Sequence, residues 1–398
     1  MSGLDLGQLL SPVAVEEFLR DSWGKNFLYV PGTPSKFDDL FSWDALNSVL
    51  AQHRLEPPRL RLEQAGGNQR DLTFLDYRLA RRGINVPRIN LAELYRHLQA
   101  GATLVLDAVD EVDPRITHTC EELTAIFTTQ IQVNAYASWG SSPGFGLHWD
   151  DHDVLVVQVA GSKHWSVHSI TRRFPLYRDS VTDLDKPSDS PIWESEIHAG
   201  DLLYVPRGQW HNVTGLNKPS LHLTIGINNP TGVDLLTWLA DEMREVEIFR
   251  CDLPQFGSED ERRAHLQRLR AALDQEWADG ALIDRYFAAR SERLRPRAHL
   301  SLPLAAGSSS EPLPPDLIVR FVGSAKGSLS ESSDSKHVTL KAIGKEWTFV
   351  AALRPFLETL LSRPAVTVSE LVAVSSLGHE RVSALVIRLI REGLISFP

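Results

Sequence analysis

The residues best suited to chemistry in this 398-residue chain are His148 and Asp150, in His148-Trp149-Asp150, and His211, which closes the segment Gly200 to His211. Two histidines and one carboxylate are the donor set of a facial triad. Such a set holds Fe(II) on one face and leaves the opposite positions open for a co-substrate and oxygen. Leu147 to Val159 is rich in β-branched and apolar residues and reads as a strand or strand pair. Side chains two apart on a strand share a face, so His148 and Asp150 can reach one ion while Trp149 points the other way. An isolated His-x-Asp is a weak signal. The second segment strengthens it: Gly200-Asp201 is a turn, Leu202 to Val205 a short apolar strand, and Pro206 to Gly208 a break that delivers Trp210 and His211 to a sheet end.

The elements around these residues are short strands. Between Gln130 and Gly226 they recur, punctuated by Gly, Pro, Asn and Asp, which predicts a mainly β core with α additions, an antiparallel sandwich or barrel of the jelly-roll kind. Upstream, Ser11-Pro12 reads as a helix start with Val15, Phe18 and Leu19 as its apolar stripe. Phe27 to Val30 reads as a strand, and Ser42 to Leu50 and Leu91 to Leu98 read as helices.

After Asn229-Pro230 the period becomes helical, through Leu235, Leu236, Leu239 and Met243, then Leu266, Leu269, Leu273 and Trp277, with a third helix from Leu282 to Leu294. Such stripes must bury against something, either the β core or a second copy of the chain. Leu302 to Pro315, with four prolines and three serines, reads as a linker. Beyond it come a strand at Leu317 to Val322, a Ser-rich mobile loop at Gly327 to Ser335, and helices at Leu353 to Leu361, Val368 to Val374 and His379 to Arg391. An edge strand, Leu394 to Phe397, ends the unit. That order resembles a winged helix. The expected division is a catalytic domain over 1–230 with its jelly roll at about 130–228, a helical region over 231–300, a linker over 301–315 and a small domain over 316–398.

Composition narrows the function classes. A formal charge of −10 argues against general affinity for nucleic acid, which rests on neutralising phosphates. Residues 316–398 hold 10 Lys+Arg against 8 Asp+Glu, too balanced for a DNA-binding surface. No stretch is long and apolar enough to span a membrane, no secretory signal is visible after Met1, and Cys120 and Cys251 lack metal-site spacing. These point by elimination to free thiols in the cytoplasm.

His148 to Trp165, Gly200 to His211 and Gln132-Val133-Asn134-Ala135-Tyr136 together resemble the JmjC-type 2-oxoglutarate oxygenases of the cupin superfamily. The nearer likeness is to their ribosomal-oxygenase branch, as is Glu17 to Leu28 with its aromatic lead-in. The resemblance implies a double-stranded β-helix, a helical dimerisation region giving a homodimer, and a C-terminal winged helix. It also implies Fe(II) on His148, Asp150 and His211, with 2-oxoglutarate and O2 as co-substrates. Lys163 would take the far carboxylate of 2-oxoglutarate, and Asn134 and Thr224 would border the co-substrate. Tyr136 would orient the substrate, a protein or peptide such as a basic ribosomal-protein segment hydroxylated at Arg or His.

The residues themselves support part of this. Gly161-Ser162 reads as a hairpin turn, so Lys163 begins a returning strand and shares a face with Trp165 and Val167. A lysine so placed needs an anionic partner if it is buried. Trp149 departs from the tyrosine common at that position of the family. His152, His164, His168 and His222 carry no ligand pattern and read as packing or surface residues. Asp179, Asp183, Asp185 and Asp189, within Ser169 to Ile197, read either as an acidic lid or as a solvated insertion. Two other functions stay open: the same chemistry on a ribosomally made peptide or biosynthetic intermediate, and a non-catalytic cupin joined to a winged-helix regulator.

Overall fold

The computed structural model describes residues 3–63, 72–81, 83–141, 146–179, 185–307, 311–323, 327–332 and 335–397. Asp183 lies outside these residues, as do Ser308 to Ser310 of the expected linker and Ser333-Asp334 of the expected Ser-rich loop. The chain forms two compact units, Met1–Asn229 and Pro230–Pro398.

Twelve described strands build the first unit: β1 (Leu28–Val30), β2 (Leu60–Glu63), β3 (Leu75–Leu79), β4 (Asn85–Ile89), β5 (Thr103–Leu106), β6 (Ile131–Ser138), β7 (Asp153–Ala160), β8 (Ser162–Val167), β9 (Trp193–His198), β10 (Leu202–Val205), β11 (His211–Gly215) and β12 (Ser220–Ile227). A seven-stranded antiparallel sheet runs β1-β10-β7-β12-β6-β5-β2, and a three-stranded sheet runs β11-β8-β9. β3 and β4 form a separate hairpin.

The alternation of β7 explains the layering. Leu155, Val157 and Val159 face the main core, which the helices Leu6–Leu10, Val15–Asp21, Trp43–Gln52, Leu91–Gln99 and Pro114–Phe127 cover. Val154 and Val156 face the other way and pack with Trp165 and Ile197 of the small sheet and Leu203 and Val205 of β10. One strand buried on both faces thus joins two apolar layers, and the space between the sheets is where a site can form.

Several local expectations are corrected by the structure. Pro12 does not open a helix: Asp5 caps an earlier helix, Leu6–Leu10, and Val13 N donates to Leu10 O at 2.8 Å, so Pro12 sits in the turn between two helices. The next helix begins at Val15, and its Leu19 is exposed. Gly161-Ser162 is not a hairpin turn, because β7 and β8 belong to different sheets. Gly161 makes the corner between them at φ +68°, where a Cβ would collide with the carbonyl oxygen of Pro219. The helix Pro114–Phe127, capped by Asp113 with Pro114 in its first turn, has no counterpart among the sequence expectations. Ser169 to Ile197 ends in a strand, β9, and its Asp179 accepts from Leu176 N at 2.7 Å and pairs with Arg172.

In the second unit the helices Gly232–Glu242 and Leu282–Arg293 share a small core of Trp238, Leu239, Met243, Leu282 and Tyr286. The helix Glu259–Ala278 buries none of its side chains, and Leu266 and Trp277 of its stripe are more than half exposed. Leu273 of the same stripe is half-buried against that small core, so the stripe is covered only in part within one chain.

The remainder carries β13 (Ile318–Phe321), β14 (Ser328–Glu331), β15 (His337–Ala342), β16 (Lys345–Val350), β17 (Val366–Thr367) and β18 (Ile395–Ser396), in sheets β17-β13-β18 and β14-β15-β16. Ser328–Glu331 is thus a strand and not a loop, because its backbone pairs with β15. Val319, Phe356, Leu357, Leu371, Val382, Val386 and Leu389 form the core with the helices Arg354–Ser362, Val368–Val374 and His379–Arg391. Leu313 joins that core, and its backbone binds Ser383 Oγ and His379 Nε2, so this end of the Pro-rich segment is packed. No described helix is long and apolar enough to cross a membrane.

Candidate metal centre and its cavity

His148, Asp150 and His211 offer ligand atoms that all lie within 4.8 Å of one another. The convergence does not come from a regular strand. His148 to Asp150 precede β7, and His148 forms one isolated bridge with His211, the first residue of β11. His148 N donates to His211 O at 3.0 Å and His211 N to His148 O at 2.8 Å, while Gly208 N holds Asp150 O at 2.9 Å. Backbone bonds to the incoming β11 segment, rather than strand periodicity, bring the three groups together.

The imidazoles are oriented alike. His148 Nδ1 lies 2.8 Å from Gly146 O and His211 Nδ1 3.0 Å from Gln209 O. A carbonyl can only accept, so each Nδ1 carries the proton and each Nε2 presents a lone pair. His211 Nε2 lies 3.6 Å from Asp150 Oδ2. Burial, reinforced by His148, pushes the protonation of His211 well below the ordinary histidine range, which keeps it a neutral donor. Two Nε2 lone pairs and one carboxylate, each histidine tied from behind, suit a divalent first-row metal.

A buried carboxylate frames this end. Asp153 is 1% exposed and accepts from Tyr204 Oη at 2.7 Å, Arg207 N at 2.8 Å and Asn229 Nδ2 at 2.8 Å. Tyr204 packs edge-on against Phe18 and stacked with Trp23, which itself stacks on Phe127, so the aromatic lead-in braces the strand before His211.

The triad opens into a cavity of about 380 Å³ that also takes Asn134, Tyr136, Lys163, Trp165, His222 and Thr224 into its wall. Lys163 and Trp165 reach it by alternation along β8, and Asn134 faces Thr224 across the β6–β12 pair. Lys163 is 5% exposed, and among the described residues no hydrogen-bond or ion-pair partner meets its ammonium. Burial alone lowers its pKa from 10.5 to about 7. Tyr136 is held as the phenol, its pKa pushed up to about 12 first by burial and then by Asp107. Asn134 Oδ1 accepts from Ala108 N at 3.0 Å and Gln132 Nε2 at 3.1 Å, which fixes its amide. Trp149 is buried and is not part of the cavity wall.

All seven residues singled out from the sequence are therefore gathered around one space. Sequence reasoning missed others. His152 and His222, taken as packing or surface residues, line the cavity, as do Arg61 and Gln132. Arg61 of β2 is locked to Asp107 at 2.9 Å and to Glu63. Its only sequence signal was an arginine alternating with leucines in Leu60-Arg61-Leu62, which places it opposite the core face.

Residues 109–235 match the JmjC domain family. The chain is 30% identical over 226 residues to the bifunctional lysine-specific demethylase and histidyl-hydroxylase NO66 of Caenorhabditis elegans, covering 55% of this chain and 29% of that protein. It is 26% identical over 262 residues to the Dictyostelium discoideum protein of the same name, covering 62% of this chain and 47% of that one. The chain thus spans less than half the length of both relatives. The Escherichia coli ribosomal oxygenase YcfD superposes over 97% of this chain and 98% of its own, with TM-score 0.58 and 18% identity. A structure of YcfD with cobalt and 2-oxoglutarate gives TM-score 0.56. Family match, antiparallel β core and converging triad point the same way: residues 109–235 are similar to a JmjC domain, in a chain that shares the YcfD fold.

Proposed function

We propose that this chain is an Fe(II)- and 2-oxoglutarate-dependent dioxygenase that hydroxylates a protein side chain, Arg or His in a basic segment of a ribosomal protein. The observation that carries the reading is Lys163, a buried cation that meets no partner among the described residues, in the same cavity as the triad. A metal site alone fits many cupins; a metal site facing an uncompensated buried lysine calls for an anionic ligand that bridges the two.

His148, Asp150 and His211 would hold the metal through two neutral nitrogens and one carboxylate, leaving Fe(II) with one net positive charge that favours an anionic chelator. When bound, the metal and 2-oxoglutarate supply oxygen activation: 2-oxoglutarate, O2 and a C–H bond become succinate, CO2 and a C–OH bond. Lys163 would fix the far carboxylate, and Asn134 and Thr224 would border it. The Tyr136 phenol, kept protonated, would donate a hydrogen bond to the substrate. Val154, Val156 and Trp165 line the wall and limit water there.

The test is succinate release from 2-oxoglutarate by the Fe(II)-loaded protein, joined to mass spectrometry of ribosomal proteins from cells with and without this chain. A one-oxygen increment that Asp150→Ala abolishes supports the reading. No such increment rejects it in favour of another substrate, and formaldehyde release on a methyl-lysine peptide rejects it in favour of demethylation, which the name of the NO66 relatives gives beside histidyl hydroxylation. We further assign residues 231–300 as a homodimer contact, on the exposed stripe of Leu266 and Trp277. Residues 316–398 are assigned as a winged helix, on the order of three helices between β13 and β18.

A further inference from the structure

His222 is 5% exposed, lines the cavity and has no hydrogen bond to either ring nitrogen among the described residues. Its Nδ1 is sealed from solvent and without a partner. With Nδ1 sealed and neither nitrogen bonded among the described residues, Nε2 is the one left for a ligand in the cavity. The surroundings define which ligand.

The ring lies flat against Tyr136, centroids 4.9 Å apart and planes 6° apart, with the edge of Trp165 at 6.1 Å. Two aromatic neighbours hold it in one orientation and offer it no acceptor. Its position is set by an irregularity in the sheet. Along β12, Leu221 pairs with Ala160 but His222 with Gln158, so the register slips by one residue between them. Such a slip re-aims a side chain.

Lys163 is the charge that His222 feels: after burial, it is the cause that holds the imidazole well below its ordinary protonation range. The ring is therefore neutral, with one N–H to give. With Nδ1 enclosed, the favourable tautomer puts that proton on Nε2, the nitrogen left to meet a ligand. A neutral donor lining the same cavity as an ammonium, with Tyr136 and Trp165 packed against it, is a two-point receptor for one oxyanion.

We propose that His222 is a second donor, with Lys163, for the distal carboxylate of the 2-oxo dicarboxylic acid, each group taking one carboxylate oxygen. The assignment rests on the proposed function above. It makes His222 a positioning residue for the co-substrate, whereas its packing against Tyr136 alone would make it a spacer.

The test uses the full chain loaded with Co(II) and calorimetric titration of two ligands, 2-oxoglutarate and 2-oxobutyrate, the second lacking the distal carboxylate. Loss of a hydrogen bond to a charged group is worth about tenfold or more in affinity. His222→Phe should therefore weaken 2-oxoglutarate at least tenfold and leave 2-oxobutyrate unchanged, while His222→Gln, which keeps a donor, should stay nearer wild type. In the unmutated protein, nitrogen-15 spectra should report the Nε2–H tautomer and a shift of that nitrogen on adding succinate. Equal weakening of both ligands, or no shift on succinate, overturns the proposal and leaves His222 a packing residue. Lys163→Met separates the two levels of argument. If it weakens 2-oxoglutarate and His222→Phe does not, the His222 assignment alone fails. If Lys163→Met leaves 2-oxoglutarate binding intact, the co-substrate reading of the cavity fails with it.

Discussion

Replacing Lys163 by Met should make the ligand-free protein more stable while disabling it. The side chains have similar length, and Met fills the same space without a charge. Lys163 ionises at about 7 in the fold against 10.5 in the unfolded chain. At 1.36 kcal/mol for each pH unit, the charged form is disfavoured by roughly 5 kcal/mol, which is a ceiling on the gain. Below pH 7 the lysine is charged in both states and the fold carries the whole penalty. Between pH 7 and 10.5 the native lysine is neutral while the unfolded one is still charged. The unfolded state then binds more protons, and the penalty fades as pH rises. Urea unfolding without metal or ligand should therefore find Lys163→Met more stable by about 2 kcal/mol or more at pH 6. The advantage should be clearly smaller at pH 9.5, with the denaturant slope unchanged. Adding Co(II) and 2-oxoglutarate should close the gap or reverse it, because both proteins gain from the metal but only the wild type holds the distal carboxylate. A variant that is less stable at pH 6, or whose advantage ignores pH, refutes the reasoning that an uncompensated cation sits in the cavity.

Three more outcomes are expected. Because Lys163 must take up a proton before it holds an anion, 2-oxoglutarate affinity should be level below pH 7 and fall by up to about tenfold per unit above it. Calorimetry at pH 8 in two buffers of different ionisation enthalpy should then register proton uptake, and buffer-independent heats would count against the assignment. Asp150→Ala should abolish Co(II) binding while leaving the melting temperature in EDTA close to wild type; undiminished binding would move the metal elsewhere. Asp153→Ala should cost about 3–5 kcal/mol, since Tyr204 Oη, Asn229 Nδ2 and Arg207 N all lose a buried carboxylate. A urea midpoint shift equivalent to less than 1 kcal/mol would mean that water replaces it.

Local chemistry was legible wherever one short segment carried it. The types and order of His148, Asp150 and His211 pointed to one ion, and the strand alternation of β6 and β8 put Asn134 with Tyr136 and Lys163 with Trp165 on common faces. The route to convergence was not legible, because His148 and Asp150 are placed by bonds to His211 and Gly208, partners far along the chain. Gly161 looked like a hairpin turn because a positive-φ glycine serves both a turn and a corner, and only the pairing of β8 with β11 and β9 distinguishes them. His222 and Arg61 were missed for a related reason: each sits in an ordinary strand pattern, and its role depends on what faces it from another strand. The helix Pro114–Phe127 was hidden by threonines in its buried stripe, Thr119 and Thr124, which blur the apolar period.

The reciprocal backbone bonds between His148 and His211 also govern when the centre comes into being. They join the two ends of the stretch that runs through β7, β8, β9 and β10 and passes from one sheet to the other. Closing so long a loop carries an entropic cost that other contacts must first offset, so we expect the centre to form late in folding. The unfolded chain then holds three scattered side chains with little joint affinity, and metal loading follows assembly of the core. An ion that binds only the finished site acts on its persistence, so the melting temperature should climb with metal concentration while the refolding rate stays unchanged.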